Sequence, residues 1–146
     1  MIISVDYDGT CVTHAFPKIG FEIGAAPVLK ELVDKGHRLI LFTMRSDLES
    51  DPIVAEHDKD HLKNDVTASD YLTQAVKWFG EHGIPLYGIQ SNPTQRNWTS
   101  SPKAYAQLYI DDAALGCPLT FDPKVSDRPF VDWVKVREWL VKEGIL

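Results

Sequence analysis

Cysteine is scarce: only Cys11 and Cys117 occur, far apart and not in a CxxC pair. A disulfide framework and a zinc knuckle are therefore not expected, and a reducing, cytoplasmic compartment is. Long apolar runs are also missing. No stretch approaches the length that crosses a bilayer, and no basic region followed by an apolar one opens the chain, so neither a membrane span nor a signal peptide is expected. Positive charge is in deficit, with 15 Lys and Arg against 21 Asp and Glu and a net charge of −6. Such a chain lacks the basic face that bulk nucleic-acid binding requires. It can still hold a small phosphorylated ligand through a few local cations. No internal repeat and no low-complexity tract is present. With 146 residues, 44% of them hydrophobic, the chain is read as a single domain over 1–146 that can bury a real core.

What is present is a set of short, uniformly apolar runs alternating with helical patterns. Residues 2–6 read as a buried strand, and 11–24 as a loop or small hairpin with Pro17, Gly20 and Gly24. Val28, Leu29, Leu32 and Val33 recur at helical spacing within 26–35, and Gly36 stops that helix. "RLILFT", 38–43, is a second strand. Residues 46–68 are polar and acidic and read as a surface excursion. A helix is expected over 69–82, with a stripe of Tyr71, Leu72, Ala75, Val76 and Phe79, and a third strand over 84–90. A loop at 91–102, a short helix near 102–106 and a fourth strand over 107–112 follow. "PLTF" suits a short fifth strand, and 130–143 a last helix with Val131, Val134, Trp139 and Leu140 inward. Continuously apolar strands alternating with helices predict an α/β fold, a doubly wound parallel sheet with helices on both faces.

In such sheets, ligands bind beyond the carboxyl ends of the strands. Those ends carry Asp6, Tyr7 and Asp8; Thr43, Met44 and Arg45; Gln90, Ser91 and Asn92; and Asp111 and Asp112, with Lys103 shortly before the fourth strand. Neighbouring carboxylates repel unless a cation lies between them. Four of them suit a hard cation with oxygen ligands, magnesium above all. A phosphate can then approach, its oxygens bound by the lysine, the threonine hydroxyl and the backbone N–H groups after Asp6. One aspartate can attack phosphorus, and the other can protonate the leaving group and then activate water.

These residues resemble the motifs of the haloacid dehalogenase superfamily of phosphohydrolases. "DYDGT" is similar to its Asp-x-Asp-Gly-Thr motif, Thr43 to the Thr or Ser that ends the next strand, Lys103 to the lysine before the last core strand, and "YIDD" to the acidic pair that follows that strand. The four come in the family's order across 2–112. The resemblance implies Asp6 as nucleophile and Asp8 as general acid and base. It implies Thr43 and Lys103 on the phosphoryl group, with Arg45 similar to a phosphate-contacting arginine of some branches. The implied magnesium ligands are the Asp6 carboxylate, the Asp8 backbone carbonyl and an acid of the last motif. Asp112 is favoured for direct contact, leaving Asp111 behind it. Neither interval between motifs has room for a full cap domain. The chain thus looks like the capless branch, whose open sites take a small phosphorylated substrate or an exposed phosphate on a larger molecule, or use a second subunit as lid. A homo-oligomer fits that expectation.

Two other functions share the pattern in part. A phosphorylation-responsive receiver domain also uses acids after strand one, a Thr or Ser and a Lys. Its phospho-acceptor ends strand three, however, where this chain has Gln90-Ser91-Asn92. A non-catalytic binding protein on the same fold would not need every catalytic residue type. Elsewhere, His57 and His61 stand four apart in "HDKDH" without an evident third ligand, so a solvated acidic face is expected there before a zinc site. Trp98 suits either a stacking role or a seal on the core edge. Trp133 and Trp139 lie six apart, so one is expected to pack and the other to be partly exposed. Cys11 reads as a small filler.

Overall fold

Four apolar runs pair into one sheet. The computed structural model describes residues 1–47 and 70–146. Within them the runs are β1 (Ile2–Val5), β2 (Arg38–Leu41), β3 (Leu86–Ile89) and β4 (Leu108–Ile110). They stand in the order β3-β2-β1-β4, every neighbouring pair parallel. Successive side chains of a strand point to opposite faces. Leu39, Ile40 and Leu41 are all fully buried, so β2 is covered on both. The fold is therefore α/β with a parallel sheet, as the apolar runs predict. The chain steps from β1 to β2 to β3 on one side and then returns to lay β4 on the other side of β1.

Three helices are described: α1 (Ala25–Asp34), α2 (Tyr71–Glu81) and α3 (Trp133–Lys142). α1 buries Ala25, Val28, Leu29 and Leu32, the i, i+3, i+4, i+7 pattern of a one-sided helix. It ends where Gly36 turns left-handed at φ 88°. α2 turns Ala75, Trp78 and Phe79 into the core, with Trp78 edge-on to the Tyr7 ring at 5.7 Å. No described helix is long and apolar enough to cross a membrane.

Three segments differ from the reading of the sequence. Residues 130–131 are not helical: Phe130–Val131 form β6, antiparallel to β5 (Leu119–Thr120). Asp132 then caps α3, its carboxylate accepting from the Lys135 N–H at 3.2 Å. The helix thus starts later, and its inner face is Trp133, Val136 and Leu140. Val134 (71% exposed) and Trp139 (45%) point outward instead. The short helix expected at 102–106 is absent, because side chains satisfy that backbone. Gln95 amide N–H groups donate to the carbonyls of Ser101 (2.8 Å) and Lys103 (3.1 Å), and its oxygen accepts from the Tyr105 N–H at 2.8 Å. Asn92 donates to the Tyr105 carbonyl at 3.0 Å. With those groups already paired, no helical ladder is needed. The third difference is a single 3₁₀ turn, Gln95–Asn97, inside the expected 91–102 loop. Most of the 46–68 excursion, with His57 and His61, lies outside the described residues.

Candidate active site

The carboxyl ends of β1 and β4, adjacent strands at the point where strand order reverses, place the acids together. The Asp6 N–H donates to the Ile110 carbonyl at 3.0 Å, which extends the β1–β4 pairing by one residue and sets Asp6 beside Asp111 and Asp112. The chain then turns sharply, with the N–H groups of Thr10, Cys11 and Val12 directed at the Tyr7 carbonyl. Thr10 locks this turn to the β4 end. Its hydroxyl donates to Asp6 Oδ2 at 3.0 Å and accepts from the Asp112 N–H at 3.0 Å. Its carbonyl accepts from the Trp133 indole at 2.6 Å, so α3 anchors the same turn.

Asp6, Asp111 and Asp112 each offer a carboxylate oxygen within 4.8 Å of the others. Neither Asp6 nor Asp111 pairs with a cation among the described residues. Burial, joined by the charges of Asp111 and Asp112, pushes the Asp6 carboxyl up to about 7. The donor set is all oxygen and over-supplied with negative charge, which fits a divalent hard cation such as magnesium. Gly9 is required beside it: it adopts φ 79°, and a Cβ there would fall 2.2 Å from His14 Nε2 and 2.7 Å from Asp112 Oδ2.

Asp8 stands outside that cluster of three. Its Oδ2 accepts from Arg45 Nε at 2.6 Å and its Oδ1 from Arg45 Nη2 at 2.7 Å, the bidentate fork that arginine makes best. Arg45 is buried, and it also donates to the Pro17 and Lys18 carbonyls at 3.4 and 2.8 Å. The sequence reading places this guanidinium on phosphate, whereas in the structure its contacts are to Asp8 and the 17–18 loop.

Thr43 lies beyond β2 with its hydroxyl accepting from the Arg45 N–H at 3.2 Å, and among the described residues its proton has no acceptor. Gln90 holds this end of the strand: its oxygen accepts from the Thr43 N–H at 2.9 Å, and its amide donates to the Thr43 and Arg45 carbonyls at 2.6 and 3.0 Å. Gln90 adopts φ 59°, the left-handed region that non-glycine residues seldom enter, and these three bonds maintain it. Lys103 is not brought onto the carboxylates. Its exposed ammonium lies 5.4 Å from the centroid of Tyr109. Trp98 is exposed and edge-on to Tyr105. Cys11 is fully buried, its thiol donating to the Asp6 carbonyl at 3.2 Å. Burial pushes that thiol well above its usual range, which suits a filler.

Two residues of this site carry no signal in the motif order. His14 Nε2 lies 3.0 Å from Asp112 Oδ2; only its place in the loop after β1 hints at it. Gln90 looks like an ordinary strand end until its amide is seen to bridge to Thr43.

No family model matches the chain, and no curated protein does. Among solved structures, it is similar to a conserved protein coded by a locus of Bacteroides thetaiotaomicron. The two share 29% sequence identity and a TM-score of 0.66, over 99% of this chain and 91% of that one.

Proposed function

We propose that this chain is a magnesium-dependent phosphohydrolase of the haloacid dehalogenase type, capless and doubly wound, that hydrolyses a phosphate monoester through an aspartyl-phosphate on Asp6. The observation that carries the reading is the convergence of Asp6 with Asp111 and Asp112 within 4.8 Å, at the place where open α/β sheets bind ligands. The order of the motifs, with Asp8, Thr43 and Lys103, supports the same chemistry.

Asp6, Asp111 or Asp112, and the Asp8 backbone carbonyl are the groups that would hold magnesium. Bound there, the cation would favour the ionised Asp6 and offset the charge of the incoming phosphate. The Thr43 hydroxyl donates to a phosphoryl oxygen. Lys103 reaches another by leaving the Tyr109 ring. An Asp6 oxygen attacks phosphorus, so a P–O bond to Asp6 forms as the ester P–O bond breaks. The leaving oxygen takes its proton from Asp8. Asp8 then accepts a proton from water as the water oxygen attacks phosphorus, which frees Asp6 and releases inorganic phosphate.

The test is turnover of a panel of aryl and alkyl phosphates with magnesium, against the Asp6→Asn variant. Wild type should release phosphate from at least one class, and Asp6→Asn should fall by about 10³-fold or more, as loss of a nucleophile does. Absence of turnover above the Asp6→Asn background across the panel removes the enzyme reading.

A further inference from the structure

We infer that Arg45 is a positioning residue that aims the Asp8 carboxyl rather than a ligand of phosphate. The inference rests on the phosphohydrolase reading, in which Asp8 passes a proton first to the leaving group and then from water. The Arg45 side chain is 1% exposed. Its guanidinium carbon lies 5.1 Å from the centroid of Tyr7 and 5.2 Å from that of Phe16, so aromatic rings as well as acceptors enclose it. Four donor contacts, two to Asp8 and one each to the Pro17 and Lys18 carbonyls, fix its plane. With so little of the side chain exposed, a phosphate could touch the guanidinium only if the groups around it moved.

The backbone of Arg45 is held as firmly. Its N–H donates to the Thr43 hydroxyl and its carbonyl accepts from Gln90. Arg45 therefore ties the strand end that carries Thr43 to the carboxyl two residues beyond Asp6. Proton delivery to a leaving oxygen depends on sub-ångström aim, and a planar fork fixes a carboxylate where a lysine ammonium, a single point charge, does not. Nε–H donates to Oδ2, one Nη2–H donates to Oδ1 and the other Nη2–H to the Lys18 carbonyl, so each Asp8 oxygen is held by a donor of its own.

The experiment compares wild type, Arg45→Lys, Arg45→Met, Asp8→Asn and the Asp8→Asn/Arg45→Lys double variant. Each is assayed with magnesium on an aryl phosphate and on an alkyl phosphate, with inorganic phosphate as competitive inhibitor. The unfolding curve of each variant confirms that it is folded at the assay temperature. An alkyl leaving group needs the proton more than an aryl one does. Arg45→Lys should therefore lower kcat about 10-fold more on the alkyl ester than on the aryl ester, from misaimed proton transfer. The inhibition constant of phosphate should stay within about 3-fold of wild type, because no phosphate contact is lost. In the Asp8→Asn background Arg45→Lys should remove nothing further. Arg45→Met should follow the same pattern, more strongly. Weakened phosphate inhibition of about 10-fold or more, with equal losses on both esters, would assign Arg45 to phosphate binding and overturn the inference. So would additive losses in the double variant. An inactive wild type overturns the phosphohydrolase reading and this inference with it. An active wild type with additive losses overturns this inference alone.

Discussion

Asp8 and Arg45 form an ion pair whose halves are unequally buried, with 19% of the Asp8 side chain exposed against 1% of Arg45. That asymmetry decides which partner the fold misses more. Without Arg45, Asp8 can turn toward water, and Pro17 and Lys18, whose carbonyls lose a donor, are exposed residues. Without Asp8, a guanidinium is left in the interior with two carbonyl partners among the described residues. Asp8→Ala should therefore cost about 3–5 kcal/mol, the usual loss when one side of a buried pair is removed. Arg45→Met, which fills the slot between Tyr7 and Phe16, should cost less than half of that. Urea unfolding of both variants checks the order, and an Arg45→Met loss as large as that of Asp8→Ala contradicts it. Individual residues were legible in the sequence where a motif and a strand end coincide. Asp6, Asp111 and Asp112 follow apolar strands that stop at acids, and adjacent parallel strands bring those ends together. His14 and Gln90 were not legible, because their roles depend on contacts across 98 and 47 positions of chain. The engagement of Arg45 was hidden for the same reason, being set by a loop 27 and 28 positions earlier.

At the scale of elements, periodicity located α1 and α2 to within two residues at each end, since both bury a regular stripe. It missed the phase of α3. Val131 is buried in β6, and counting it as helical rotates the expected inner face toward Val134 and Trp139. The cap at Asp132 resets the count. Its consequence is testable on the two tryptophans of that helix. Trp133 is 3% exposed and donates to the Thr10 carbonyl of the acidic turn; Trp139 is close to half exposed. Trp133→Ala should cost about 3–5 kcal/mol, as for other buried large aromatic side chains. Trp139→Ala should cost about 1 kcal/mol or less, in line with surface positions. Trp133→Phe keeps the ring and removes the indole donor, and should cost about 1–2 kcal/mol for the unpaired carbonyl. Thermal unfolding ranks the three, and a Trp139→Ala loss equal to that of Trp133→Ala would mean that the helix is turned the other way.

For the whole molecule, the acidic cluster links stability to pH and, under the proposed function, to divalent cations. The Asp6 carboxyl is raised from 3.8 to about 7, first by burial and then by the Asp111 and Asp112 charges. The folded chain thus binds this proton more tightly than the unfolded chain does. Its contribution to stability is complete below the unfolded value of 3.8 and disappears as pH rises through about 7. A shift of that size corresponds to a loss on the order of 4 kcal/mol across the window. The metal-free protein, kept in chelator, should therefore lose melting temperature between pH 5 and pH 8, and Asp6→Asn should flatten that slope. A cation among the three carboxylates competes with the same proton. Under the proposed function magnesium binds the folded state alone and so stabilises it, and it should raise the melting temperature more at pH 8 than at pH 5. The gain should shrink in Asp6→Asn. Equal gains at both pH values would place the cation elsewhere, because a ligand that does not meet the Asp6 proton has no reason to depend on it.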